Sequence, residues 1–146
     1  MRGQCLCGSI AFEIDGPLPR AYQCHCSLCR RQTGTSSNTS LMIAGKNFRW
    51  TAGEQQIRCF VKPSGFRSDF CGRCGSPVPN PLRGTDYLWV PAGLLEGDIP
   101  IEIGAHLCVD SKAGWDVLSA GGVHYAGIPE NEELLRLLNT PRQTGS

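Results

Sequence analysis

No apolar run in the 146 residues approaches the roughly 20 that cross a bilayer, and the first residues carry no hydrophobic leader. The expectation is a cytoplasmic protein with no membrane partner. A surplus of positive charge is missing too: 14 Lys and Arg stand against 13 Asp and Glu, for a net +1. Nucleic-acid binding draws on a basic face, so no nucleic-acid partner is expected. Seven thiolates around two zinc ions would turn the balance mildly negative. No internal repeat is visible, and 146 residues suit a single domain, expected over 1–140, with 141–146 as a flexible tail.

What the chain does hold is cysteine, glycine and proline. Eighteen Gly and 10 Pro with 40% hydrophobic residues favour many turns and short strands over a helical bundle. Alternation over Ser9–Ile14, closed by Gly16-Pro17, reads as a strand and turn. Phe48–Trp50, Ile57–Val61, Phe66–Phe70 and Tyr87–Val90 read likewise, giving a mainly β protein of short antiparallel strands. Two short helices are expected: one capped by Ser27 and ending near Gly34, and one over Asn131–Leu138 with Leu134, Leu135, Leu137 and Leu138 as its sticky face.

Nine cysteines is an odd number, and without a secretory signal closely spaced thiols serve as metal ligands more often than as disulfides. Seven fall into three clusters: Cys5-x-Cys7-Gly8, Cys24-His25-Cys26-Ser27-x-Cys29 and Cys71-x-x-Cys74-Gly75. A C-x-x-C turn aims two sulfurs at a tetrahedral zinc, and a following glycine takes the left-handed conformation the knuckle needs. Cys71 and Cys74 supply half a closed site, and the Cys5/Cys7 arm is the natural complement. Closing that long loop is affordable, because loop entropy grows by about 0.6 kcal/mol per doubling against apparent structural-zinc binding of about 10–16 kcal/mol.

Cys24, Cys26 and Cys29 form a local set of three. Three ligands with an open fourth position are the arrangement of a catalytic zinc. The alternative is a second closed site, with His25, Cys59 or Cys108 as fourth ligand. Iron could also use C-x-x-C knuckles, but zinc suits such closed sites. Outside the clusters, Cys59 in its strand reads as a small buried hydrophobe. Cys108 reads the same way, although it follows His106 and precedes a polar turn. His106 and His124 read as hydrogen-bonded packing residues, and Trp50, Trp89 and Trp115 as core or pocket lining. Arg30 and Arg31, beside the three-cysteine set, either hold a substrate carboxylate or line a solvated helix face.

Taken together, Gly3-x-Cys5-x-Cys7-Gly8 with Ala11-Phe12, then Cys24-His25-Cys26-Ser27-x-Cys29-Arg30-Arg31, then Phe70-Cys71-x-x-Cys74-Gly75-x-Pro77 resemble the glutathione-dependent formaldehyde-activating enzymes. That family also includes the domain of centromere protein V. Gly104-x-His106-Leu107-x-Val109-x-Ser111-Lys112-Ala113-x-Trp115 is similar to its C-terminal signature. The resemblance implies a β-tent fold, a structural zinc on Cys5, Cys7, Cys71 and Cys74, and a catalytic zinc on Cys24, Cys26 and Cys29. The activity it implies is that of a carbon–sulfur lyase acting on glutathione adducts of formaldehyde, with glutathione as thiol co-substrate and a small-molecule thiol adduct as partner. Two departures bear on the substrate: Asp116-Val117-Leu118-Ser119 replaces the usual Asp-x-Leu-Pro, and Cys108 stands where an aromatic residue is usual. A non-catalytic zinc module that docks a protein is the competing expectation.

Overall fold

A computed structural model describes residues 1–140; the tail expected at 141–146 lies outside the described residues. In chain order come β1 (Arg2–Gln4), β2 (Ala11–Ile14), β3 (Ala21–Cys24), α1 (Ser27–Thr33), β4 (Asn38–Ala44), β5 (Phe48–Ala52) and β6 (Ile57–Val61). There follow β7 (Arg67–Cys71), β8 (Asn80–Pro81), β9 (Tyr87–Pro91), β10 (Ile103–Leu107), β11 (Val123–His124) and α2 (Asn131–Asn139). They form a three-stranded sheet β1-β2-β5, a six-stranded sheet β11-β10-β3-β4-β9-β8 and the hairpin β6-β7. The mainly β expectation stands, and the large sheet adds parallel pairs that local patterning did not suggest: β10 runs parallel to both β3 and β11.

β4 is central to the large sheet, and its period of two feeds two cores. Leu41 and Ile43 point toward the small sheet, where they meet Phe12, Ile14 and Val90. Met42 points the other way, to Tyr22, Trp89, Leu107 and the α2 residues Leu134 and Leu138. Leu135 and Leu137 pack at the edge of that second core, so the leucine face of α2 is used as its spacing implies. Full burial of a leucine side chain contributes about 1.5–3 kcal/mol, enough to hold a helix too short to persist alone. At the other end of the molecule Gly3 pairs with Phe12 across β1 and β2. A Cβ on Gly3 would lie 2.3 Å from the Phe12 ring, so only glycine lets that ring cover the strand leading into Cys5.

The expected strands all occur, displaced by a residue or two. α1 also occurs, but its cap is Cys26, whose sulfur accepts from the Cys29 N–H, and Gly34 ends it in the left-handed region. Ser27 is therefore the first helical residue, not the cap. Among the described residues no helix is long and apolar enough to cross a membrane.

Candidate metal centres

The first cluster is assembled from two turns. After β1, the Gly8 N–H bonds the Cys5 carbonyl at 3.0 Å, and Gly8 takes φ 78°, turning the chain back so that Ile10 N–H points at the Cys5 sulfur at 3.4 Å. After β7, the Gly75 N–H bonds the Cys71 carbonyl at 2.8 Å, Gly75 also takes φ 78°, and Arg73 N–H points at the Cys71 sulfur at 3.4 Å. The backbone of Leu6 donates to Ser76 Oγ at 3.1 Å and joins one turn to the other. Cys5, Cys7, Cys71 and Cys74 thereby place four sulfurs within 4.8 Å of one another. Sulfur separations of 3.6 Å (Cys5 to Cys7) and 3.8 Å (Cys7 to Cys71) match the roughly 3.8 Å edge of a tetrahedron with metal–sulfur bonds of about 2.3 Å. The donor set and its spacing fit zinc.

Thiolate is favoured at Cys71 and at Cys7, where Ser9 donates to the sulfur, whereas burial raises the Cys5 pKa. Burial works against ionisation of Cys71, but Ser9 and the N–H groups of Cys74 and Arg73 outweigh it and hold its pKa at about 6. Cys5 and Cys71 are 2% and 1% exposed and pack with Ile10 and Val78, so this cluster is also the floor of a small core.

The second cluster is local. Cys24 ends β3, Cys26 caps α1 and Cys29 lies in its first turn, with all three sulfurs within 4.8 Å of one another. Hydrogen bonds from the Cys24 and Cys29 thiols, with the Cys29 N–H at 3.3 Å, hold Cys26 far below the ordinary thiol range, at about 2. Cys24, the partner that keeps its proton, is raised by its bonds to Cys26 and Cys29 and by burial.

What aims these sulfurs is the residue between them. His25 is buried, its N–H bonds the Leu107 carbonyl at 2.9 Å, and both ring nitrogens are engaged: Nδ1 with Asp116 Oδ2 at 2.8 Å and Nε2 with His106 Nδ1 at 3.0 Å. The chain of bonds continues from His106 Nε2 to Ser119 Oγ at 3.1 Å. Burial, followed by the neighbouring His25 and His124, lowers the His106 pKa. His25 thus faces away from the sulfurs and braces the loop from behind. Sequence reasoning missed Asp116 and Ser119 in this role; the one available signal was that Asp116 sits directly after the Trp115 signature.

The other candidate fourth ligands separate clearly. Cys108 is buried beside Cys24 in the same core, at φ 56°, yet lies outside the group of mutually close sulfurs. Cys59 is exposed, which corrects the expectation of core packing. The reason is that β6 stands outermost in its hairpin, with only Ile57 partly covered, and Cys59 pairs with Asp69, whose hydrogen bond raises the thiol pKa. Trp115 is likewise exposed, at 70%, because Asp116, not Trp115, turns inward. Trp50 packs on Phe12 and Phe48, as a core residue does. His106 is the expected buried, bonded residue, whereas His124 is exposed and meets it edge-on at 4.9 Å.

A cavity of about 670 Å³ reaches Cys24 and Cys29. Gln32 and Asn38 line it beside the sulfurs, and Arg67 and Arg83 are its cations. Arg30 and Arg31 are not in its wall: Arg30 donates to the Ser111 carbonyl at 3.5 Å, and Arg31 lies exposed on α1.

No curated protein matches the chain. A crystal structure of a Rhodobacter sphaeroides protein is similar, with 25% identity and a TM-score of 0.57 over 68% of this chain and 92% of that one. The family model described as glutathione-dependent formaldehyde-activating enzyme matches residues 1–110, a span that holds all seven clustered cysteines. With that match over most of its length, the chain belongs to the glutathione-dependent formaldehyde-activating enzyme family.

Proposed function

We propose that the protein is a cytoplasmic zinc-dependent carbon–sulfur lyase acting on adducts of glutathione, or another thiol, with formaldehyde or a small aldehyde. Cys5, Cys7, Cys71 and Cys74 hold a structural zinc, and Cys24, Cys26 and Cys29 a catalytic one. The observation that carries this reading is the contrast in surroundings: four sulfurs close upon one another in the first cluster, whereas Cys24 and Cys29 face a cavity of substrate size. Cys24, Cys26 and Cys29 would hold a zinc with a further position open, and such an ion would lower the pKa of a substrate thiol.

The chain's own residues do the rest. His25, fixed by Asp116 and His106, sets the direction of Cys24 and Cys26. Asn38 Nδ2 donates to Gln32 Oε1 at 3.1 Å and Ser40 Oγ to Asn38 Oδ1 at 2.6 Å, a fixed polar edge beside Cys29 at which a carbonyl or hydroxyl oxygen of the adduct can be held. Tyr22, Met42 and Trp89 give the cavity beside the sulfurs an apolar wall. Zinc analysis with X-ray absorption tests the reading: two zinc ions per chain are expected, with the mean sulfur count rising when glutathione is added. One zinc per chain, or a sulfur count indifferent to glutathione, refutes it.

A further inference from the structure

The cavity over Cys24 and Cys29 is mostly apolar, walled by Tyr22, Met42, Phe66, Trp89, Leu107 and Leu134. Glutathione has two carboxylates, an ammonium and two peptide groups, and formaldehyde adds a single carbon. Neither offers much to such a wall. The polar rim is equally selective. Arg67 is committed to Asp69 by two bonds of 2.8 and 3.1 Å. Arg83 enters no ion pair among the described residues and makes one 3.4 Å bond, to the Ser64 carbonyl. Its guanidinium rests on bare backbone, since a Cβ on Gly65 would lie 1.8 Å from Arg83 Nη1. Among the described residues the rim therefore offers one cation outside an ion pair, lying over the Gly65 backbone.

Resting on the lyase reading above, we infer that the site takes thiol adducts whose carbonyl carbon bears an apolar group of several carbons. That group packs against Phe66, Met42 and Trp89, and Arg83 takes a carboxylate of the thiol. The chemistry balances as for formaldehyde. In one direction the thiol gives its proton to solvent, its sulfur bonds the carbonyl carbon, the C=O π pair moves to oxygen and that oxygen gains a proton from solvent. In the other the hydroxyl proton is lost, the C=O bond re-forms, and the carbon–sulfur pair leaves with sulfur, which regains a proton on release.

The test compares stable thioethers, S-methylglutathione and S-hexylglutathione, on the zinc-loaded protein by calorimetry. Each buried methylene is worth on the order of four-fold in affinity, so the hexyl ligand should bind at least about ten-fold tighter. Phe66→Ala, at a half-buried position and with its fold checked by circular dichroism, should narrow that ratio. Arg83→Ala should weaken both ligands alike. Equal affinities for the two ligands, or a ratio untouched by Phe66→Ala, overturns the inference. Turnover with glutathione and either formaldehyde or hexanal separates the two readings. Turnover that favours hexanal supports both, and turnover that favours formaldehyde sinks the inference while the lyase reading stands. Tight hexyl binding without turnover of either aldehyde supports the apolar site and sinks the lyase reading.

Discussion

The two sulfur clusters use similar donors in opposite ways. The first joins turns whose nearest cysteines, Cys7 and Cys71, lie 64 residues apart in sequence with their sulfurs 3.8 Å apart, and among the described residues no strand pairing ties β1 to β7. The second is drawn from six consecutive positions and is held in place from behind, by bonds from His25 to residues 107, 106 and 116. On the proposed assignment the metal would be the cross-link in the first cluster, whereas in the second the protein supplies the cross-link and a metal held there would be left to do chemistry.

The largest effect expected from this difference is that Cys71→Ser fails to fold. Apparent structural-zinc binding of about 10–16 kcal/mol is as large as the whole stability of a domain, about 5–15 kcal/mol. Cys26→Ser should stay folded, carry one zinc in place of two and lose activity. Circular dichroism, melting and metal content on both variants decide the matter; a folded Cys71→Ser beside a collapsed Cys26→Ser would invert the assignment.

A smaller effect sharpens the contrast. Asp116→Ala leaves the buried His25 ring without one partner, at a cost of about 1–3 kcal/mol. It should speed loss of one zinc to a chelator while the other is released at the native rate. Equal acceleration of both would make Asp116 a general stabiliser and not a brace for the second loop. Below this comes the choice of cation. Arg83→Ala should raise KM for a carboxylate-bearing thiol adduct by on the order of five-fold, in keeping with a partly solvated charged hydrogen bond, while the Arg30→Ala/Arg31→Ala pair changes it less than about two-fold. The reverse ranking, read from steady-state kinetics at one ionic strength, would move the carboxylate site to α1. Smallest of all is Cys59→Ser, expected within about 0.5 kcal/mol of the native melting behaviour because the thiol is exposed on the outer strand.

The sequence was legible where a residue's role depends on near neighbours. The Cys5-x-Cys7-Gly8 and Cys71-x-x-Cys74-Gly75 turns and the leucine face of α2 follow from local spacing. It was illegible where the role depends on a distant partner. β3 and β4 show no alternation because they are covered on both faces, so period-two patterning passes over the two strands at the centre of the sheet. Cys59 carries a strand-like neighbourhood that looks inward, and only the position of β6 at the outside of its hairpin reverses it. The cavity draws Arg83 from one loop and Phe66 from another, and nothing local marks either as facing Cys24. Arg30 and Arg31 sit beside the cysteines in sequence, yet neither lines the cavity: Arg30 reaches the Ser111 carbonyl and Arg31 lies exposed on α1.

The brace behind His25 also sets an order of assembly as the chain is made. Cys74 leaves the ribosome well before Asp116 does, so the first knuckle pair can meet and take its metal while the segment that steadies Cys24 and Cys26 is still unsynthesised. A newborn chain stalled between these two points would hold Cys24, Cys26 and Cys29 on a loop that lacks the bond from His25 to Asp116. Synthesis through β10 and Asp116 is therefore what steadies the second cluster.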